Sequence, residues 1–247
     1  MKYLHIHSLF FPVLWLGLYL DSTTMAQTFS HTQWVTNVLV LLSFSWIYFH
    51  VSKVVKQLML NGLLIALLGE LFFALVLGMY TYRLENLPLY VPFGHSLIYA
   101  TVYYFAKEPL VQKYQDNITA LLYIAMIIYS SAWLIFASDV FGFLCMLVIV
   151  VIFKKRPNTK LFFLLMFFSI VYLELVGTHY QCWQWPEIWF DKIALVPSAN
   201  PPSAISVFYF GFDIGCLWVY KKLNAQRWQR FKRLRALKNT QSSFSSK

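Results

Sequence analysis

The chain has 247 residues, of which 59% are hydrophobic and 12% charged, with a formal net charge of +10 and a mean hydropathy of +0.58. Soluble domains usually carry about a quarter charged residues, so this composition excludes a soluble globular protein and predicts an integral membrane protein. The basic residues lie at the ends of apolar segments, where they set membrane topology, so the positive charge does not indicate a nucleic-acid partner.

The apolar segments predict an all-α, polytopic membrane bundle with about eight transmembrane helices, because a helical span needs about 20 apolar residues. The bundle would occupy residues 1–220, followed by a basic tail at 221–247. The first segment also resembles a secretory signal peptide. Cleavage of this segment would leave the topology of the remaining segments unchanged. In chain order the segments lie at about 3–20, 34–52, 57–82, 91–106, 118–137, 140–153, 160–181 and 203–220.

The distribution of Lys and Arg predicts that both termini are cytoplasmic. This orientation places every Lys and Arg except Arg83 and Lys192 on the cytoplasmic side, as the positive-inside rule requires. A bacterial inner membrane is the expected location. The basic amphipathic tail would anchor this topology or lie on an anionic lipid leaflet.

Two hairpins in the sequence repeat one pattern. In each, a Glu within an apolar segment is followed by an aromatic-x-aromatic triplet and then by Val-Pro before the next segment. This pattern predicts a duplicated unit, residues 3–106 and 118–220, arranged as a parallel 4+4 repeat. The repeated positions are Glu70 and Glu174, Tyr80-Thr81-Tyr82 and Trp183-Gln184-Trp185, Val91-Pro92 and Val196-Pro197, and His95 and Asn200.

Helical spacing groups the polar residues of these segments on shared faces, which would converge on one outward-opening cavity above apolar walls. Acids at membrane depth are costly and are functional by default. A low-dielectric setting disfavours an ionised carboxylate, so a carboxyl group there can hold a proton near neutrality and act as a general acid. The candidate catalytic residues are Glu70, Glu174, Asp213 and His95. The candidate substrate-binding residues are Tyr80, Tyr82, Tyr99, Thr178, His179, Trp183, Trp185, Asn200, Ser206 and Tyr209.

Acids beside aromatic side chains, whose π faces stabilise cations, favour proton-initiated addition to an apolar alkene, or its cyclisation, over hydrolysis of a polar substrate. No cofactor is expected, and the partners would be an apolar lipid substrate and the membrane lipids. A small proton- or cation-coupled transporter and a noncatalytic assembly or sensory protein are the alternatives. A metal site built from His31, His95, His179 and Glu174 is a further alternative, although no HxxxH or HExxH spacing supports it.

The two hairpins resemble those of the integral membrane carotenoid-biosynthesis family that includes the bacterioruberin-type hydratases. The resemblance lies in Gly78-Met79-Tyr80-Thr81-Tyr82 and Val91-Pro92 of the first hairpin, and in Cys182-Trp183-Gln184-Trp185, Val196-Pro197 and Asn200 of the second. It implies a multispanning enzyme that hydrates a terminal isoprenoid double bond without an organic cofactor. The sequence departs from the family pattern at Cys182, where a Gly is expected, and at Pro201-Pro202, where an aromatic run is expected.

Overall fold

The structure is a computed structural model that describes residues 2–190, 192–226 and 228–230. It is 75% helical, as expected of an all-α bundle. The helices are α1 (Leu4–His7), α2 (Phe10–Leu20), α3 (Thr23–Thr28), α4 (Thr32–His50), α5 (Lys53–Glu70), α6 (Tyr90–Phe105), α7 (Pro109–Lys113), α8 (Gln115–Ala137), α9 (Val140–Lys155), α10 (Lys160–His179) and α11 (Ser206–Leu223). The strands are β1 (Thr81–Tyr82), β2 (Trp183–Gln184), β3 (Ile188–Trp189) and β4 (Ile193–Pro197).

Within the described residues, three helical stretches are long and apolar enough to cross a membrane: Lys53–Val76, Gln115–Ala137 and Pro157–His179. Their outward faces are apolar, as α8 illustrates by exposing Ile128 and Phe136. A soluble helix would place polar side chains on such a face, so this surface suits lipid. The fold is therefore consistent with the membrane protein that the composition predicts.

The helix boundaries differ from the predicted segments at the two hairpins. The segment predicted at 57–82 leaves the α-helical path directly after Glu70 for a π-helical stretch, Leu71–Val76, and then turns through Gly78, whose φ of +61° a side chain would disfavour. The chain thereby reverses and forms β1 instead of continuing as a helix. The loop predicted at 182–202 contains β2, β3 and β4. Of the predicted basic tail, residues 227 and 231–247 lie outside the described residues.

Strand β1 pairs with β2 in an antiparallel arrangement, with Thr81 opposite Gln184 and Tyr82 opposite Trp183. The two hairpins that share the sequence pattern are therefore joined directly to each other. We call the end of the bundle that carries these strands the hairpin end.

Two buried aspartates, both fully inaccessible, hold the hairpin end together. Asp21 accepts hydrogen bonds from Arg83 at 2.5 Å and from the Tyr90 hydroxyl at 2.8 Å. Asp139 accepts bonds from backbone N–H groups of the segment that precedes α11, including Ser203 at 2.7 Å. Each aspartate thus ties the turn that contains it to the start of a later helix.

At the opposite end of the bundle, Glu108 fastens the beginning of the chain. Its buried carboxylate accepts hydrogen bonds from the backbone N–H groups of Lys2 at 2.8 Å and Tyr3 at 2.7 Å, and from His7 Nε2 at 3.0 Å. Burial opposes ionisation of Glu108, but the bonds from Tyr3, His7 and Lys2 outweigh it, so the pKa of Glu108 is lowered from its ordinary value of 4.5.

This lowered pKa predicts a pH-dependent contribution to stability. The contribution of Glu108 should be fully present above about pH 4.5, the pKa of the unfolded chain, and be lost as the pH falls through the lower folded-state pKa. The difference in thermal unfolding between the wild type and Glu108→Gln should therefore be larger at pH 7 than at pH 3. Glu85→Gln, which changes an exposed side chain, serves as the control. An equal difference at both pH values would contradict the assignment.

Candidate functional site

The first buried carboxylate of the site is Glu70, at the end of α5 and 4% exposed. Its Oε2 accepts hydrogen bonds from the hydroxyl groups of Tyr80 at 2.5 Å and Tyr82 at 2.6 Å. Its Oε1 accepts a bond from His95 Nε2 on α6 at 2.9 Å. The pKa values of the Tyr80 and Tyr82 hydroxyl groups are raised well above the usual 10.0. Burial is the largest cause, and the negative charge of Glu70 is the next. The two phenols therefore remain protonated and act as donors to Glu70.

The second buried carboxylate is Glu174 on α10, which is 3% exposed. Its Oε2 accepts hydrogen bonds from the indole Nε1 of Trp183 at 2.8 Å and of Trp185 at 3.1 Å. Its Oε1 accepts a weaker bond from the Tyr209 hydroxyl on α11 at 3.3 Å. The aromatic triplet that follows each Glu in the sequence thus binds that same Glu.

The alternation of side chains in an extended backbone explains this arrangement. Residues separated by two positions point to the same side of a strand, so Tyr80 and Tyr82 face one way, as do Trp183 and Trp185. Pairing of β1 with β2 brings the two sets together, and the rings of Tyr80 and Trp185 lie 4.5 Å apart.

A second contact joins the two carboxylate clusters from the helical side. The rings of His95 and Tyr209 stack with their centroids 4.3 Å apart. Since His95 binds Glu70 and Tyr209 binds Glu174, the two clusters form one continuous polar layer beneath the hairpins.

This polar layer lines part of a large cavity of about 1090 Å³, counting the open space that the cavity includes. Both glutamates line it, and its remaining walls come mainly from apolar side chains of α2, α4 and α6. On α4 the lining residues run from Thr36 to Ile47 along one helix face, a length of about 16 Å at a rise of about 1.5 Å per residue. The cavity therefore suits a long, narrow, apolar molecule whose end lies against the carboxyl groups.

Aromatic side chains from two elements form a wall beside the carboxylates. Phe73 of the π-helical stretch lies 5.0 Å from Phe208 and 6.0 Å from Phe212, both on α11, measured between ring centroids. All three line the cavity, and none of them is among the site residues predicted from the sequence. Phenylalanines are frequent throughout this chain, so no pattern distinguished these three from lipid-facing ones.

The predicted site residues divide into two groups. The structure brings Glu70, Glu174 and His95 together with Tyr80, Tyr82, Trp183, Trp185 and Tyr209, and all of these line the large cavity.

The remaining predicted residues do not line the large cavity. Asp213 and Tyr99 lie in a separate, smaller cavity. Thr178 donates its hydroxyl to the backbone of its own helix at Glu174, and His179 is exposed. Ser206 is buried outside both cavities.

Asn200 matches His95 in the sequence pattern, but its contacts differ from those of His95. Its Oδ1 accepts a hydrogen bond from the backbone N–H of Trp185 at 3.0 Å, so it supports the second hairpin and does not bind Glu174. The side chain from α11 that binds Glu174 is Tyr209.

The alternative metal site is not assembled. His95 is bound to Glu70, and His179 lies exposed on the surface. Across residues 2–190, 192–226 and 228–230, no group of three or more His, Cys, Asp or Glu side chains is placed to hold a metal ion.

Gly177 provides the space that the second cluster requires. A methyl group added at this position would overlap the indole ring of Trp183, the donor to Glu174. Gly177→Ala should therefore displace this ring and destabilise the protein by about 1–3 kcal/mol, as overpacking of a core does.

The measurement for Gly177→Ala is the midpoint of thermal unfolding in detergent. Gly211→Ala is the matched control, because a methyl group at Gly211 has nothing within 4 Å and Ala favours the helix. Equal midpoints for the two variants would show that the indole position does not depend on Gly177.

The fold and site define a helical protein with three helices long and apolar enough to cross a membrane among the described residues, and with a pair of buried carboxyl groups that line an apolar cavity. Comparison with protein-family models, with curated proteins and with solved structures finds no match.

Proposed function

We propose that this protein is an intramembrane enzyme that catalyses acid-initiated hydration or cyclisation of a linear isoprenoid. The observation that carries this proposal is the position of Glu70 and Glu174, both of which line a long, mainly apolar cavity. Cavities that bind small molecules are mostly apolar with a few convergent polar groups, as this one is. The family resemblance of the two hairpins is in keeping with this chemistry.

The two carboxyl groups have different partners, which suggests different roles. Glu70 faces His95, an imidazole that can carry a positive charge and so favours an ionised carboxylate. The donors to Glu174 named above are neutral indole and phenol groups, so Glu174 is better suited to carry a proton. Such a difference between two neighbouring acids is how acid and base roles are divided in many enzymes.

The proposed reaction begins when the Glu174 carboxylic acid protonates a terminal double bond, leaving a tertiary carbocation. Phe73, Phe208 and the ring of Trp185 line the cavity there and can stabilise the cation through their π faces. In hydration, water adds to the cation and releases a proton to the His95–Glu70 pair. In cyclisation, an internal double bond adds to the cation and a neighbouring carbon loses the proton to the same pair.

The reaction can be tested with purified protein in liposomes that contain lycopene, a linear C40 polyene with terminal isoprenoid double bonds. Hydration would give products heavier by one or two water molecules, whereas cyclisation would give products of unchanged mass and altered absorption. Unchanged lycopene after prolonged incubation, together with identical lipid profiles of cells with and without the gene, would contradict the proposal.

We also propose that the bundle is a parallel 4+4 repeat with about eight spans. The equivalent binding of Glu70 and Glu174 by the triplets that follow them supports it. Asp21 and Asp139 give further support, because each follows the first predicted span of its half. Asp21 binds Tyr90 at the start of α6, and Asp139 binds Ser203 just before α11; these two helices are the fourth predicted spans of the two halves.

In the proposed topology, both termini are cytoplasmic and the hairpin end faces outward, across what we take to be a bacterial inner membrane. The support is the placement of Lys and Arg. Single cysteines introduced at Lys113 and Glu187, in a variant without native cysteines, should be labelled by a membrane-impermeant maleimide from opposite sides. Labelling of both from one side would exclude this topology.

A proton-coupled transporter is the second candidate. The observation that favours it is Asp213, a further buried acid, because it places an ionisable side chain outside the large cavity. A transporter would give substrate-dependent proton flux across liposomes without chemical conversion of the substrate.

A further inference from the structure

Asp213 on α11 lies in a second cavity of about 350 Å³, counting its open space, between α5, α6, α10 and α11. The Oδ2 atom of Asp213 is buried and has no hydrogen-bond partner among the described residues. A buried oxygen without a partner is costly, and in native proteins it requires a functional explanation or a bound water.

The walls of this cavity connect both carboxylate clusters. His95, which donates to Glu70, and Tyr209, which donates to Glu174, line the second cavity as well as the first. Asp213 therefore shares a small space with one partner of each glutamate.

Asp213 is the acidic residue among those that line the second cavity. The lining residues from α5 (Leu58, Gly62 and Ala66) and from α10 (Met166) do not ionise. The ionisable groups that line it in the described chain are His95, Tyr99, Tyr209, Asp213 and Cys216.

We propose that Asp213 returns a proton from His95 to Glu174 after each turnover. The inference rests on the proposed function, in which Glu174 loses a proton and the His95–Glu70 pair gains one. Asp213 acts through His95 and Tyr209 and does not touch the substrate, which differs from the catalytic role that the sequence predicted for it.

Proton return begins with the protonated Asp213 carboxyl group, the form that burial without a hydrogen-bond partner favours. Asp213 gives its proton to the Tyr209 hydroxyl oxygen while that hydroxyl donates its own proton to the Glu174 carboxylate. The His95 imidazolium then gives a proton to the resulting Asp213 carboxylate through a bridging water. The net result is neutral His95 and protonated Glu174, with Asp213 and Tyr209 unchanged.

The test is a rapid-quench measurement of lycopene conversion by Asp213→Asn in liposomes. The rate of the first turnover should remain within about twofold of the wild-type rate, because Glu174 begins protonated. The rate of later turnovers should fall at least tenfold. The product would therefore appear as a burst of one equivalent per protein. Asp213→Glu should restore steady turnover, and Cys216→Ser, a change in the same cavity, should behave as wild type.

The outcomes separate this inference from the proposed function. Equal slowing of the first and later turnovers, or no slowing in Asp213→Asn, would overturn the proton return while leaving the enzymatic function intact. Failure of the wild-type protein to convert lycopene, together with identical lipid profiles of cells with and without the gene, would overturn both. Size-exclusion profiles of each variant identify any that fail to fold.

Discussion

Glu174→Gln is expected to slow the conversion of lycopene by about 10²- to 10⁴-fold while the protein remains folded. The amide preserves the size of the side chain and one acceptor oxygen for the indoles of Trp183 and Trp185. It cannot supply an acidic proton to a double bond, so the first step of the reaction is lost. The measurement is the rate of product formation in liposomes, with thermal unfolding as the check on folding.

The matched control for Glu174→Gln is Glu187→Gln, which makes the same chemical change at an exposed position of the second hairpin. It should retain wild-type activity. A wild-type rate in Glu174→Gln would exclude Glu174 as the proton donor, and Glu70→Gln would then be the variant to examine for that role.

Asp139→Ala is expected to cause the largest loss of stability among single substitutions at the hairpin end. The Asp139 carboxylate accepts backbone hydrogen bonds from Gly142 at 3.0 Å, Ala199 at 3.1 Å and Ser203 at 2.7 Å. Each donor that stays buried without a partner costs about 1–3 kcal/mol, so the free energy of unfolding should fall by roughly 4 kcal/mol. Unfolding in a detergent titration would measure the loss.

Asp116→Ala is the control for this effect, since Asp116 is exposed in the first turn of α8 and its favourable interaction with the helix dipole is worth roughly 0.3–1 kcal/mol. A loss in Asp139→Ala no greater than in Asp116→Ala would mean that water replaces the carboxylate. In that case Asp139 would not be what holds the start of α11 in place.

The glutamates of the site could be recognised in the sequence because an acid in an apolar segment is rare and costly. The aromatic triplets could also be recognised, because Tyr80-Thr81-Tyr82 and Trp183-Gln184-Trp185 stand at similar distances after the two glutamates. Their antiparallel pairing could not be predicted, since a two-residue strand has too few positions to show alternation.

Asp213 illustrates where helical periodicity reaches its limit. Tyr209 and Asp213 are four residues apart and share one face of α11, so the sequence predicted one common cavity for both. In the structure, Tyr209 borders both cavities, whereas Asp213 borders the smaller one. Helical periodicity shows which face of a helix a residue lies on. It does not show how the neighbouring helices separate the space along that face into two cavities.

Composition, hydropathy and charge were sufficient to predict a helical membrane-type protein and to identify Glu70 and Glu174, because these properties reflect the cost of placing each residue in an apolar environment. The contacts between the clusters required the fold. Tyr80 meets Trp185 and His95 meets Tyr209 across more than 100 residues of sequence, and such contacts depend on how whole helices and hairpins pack.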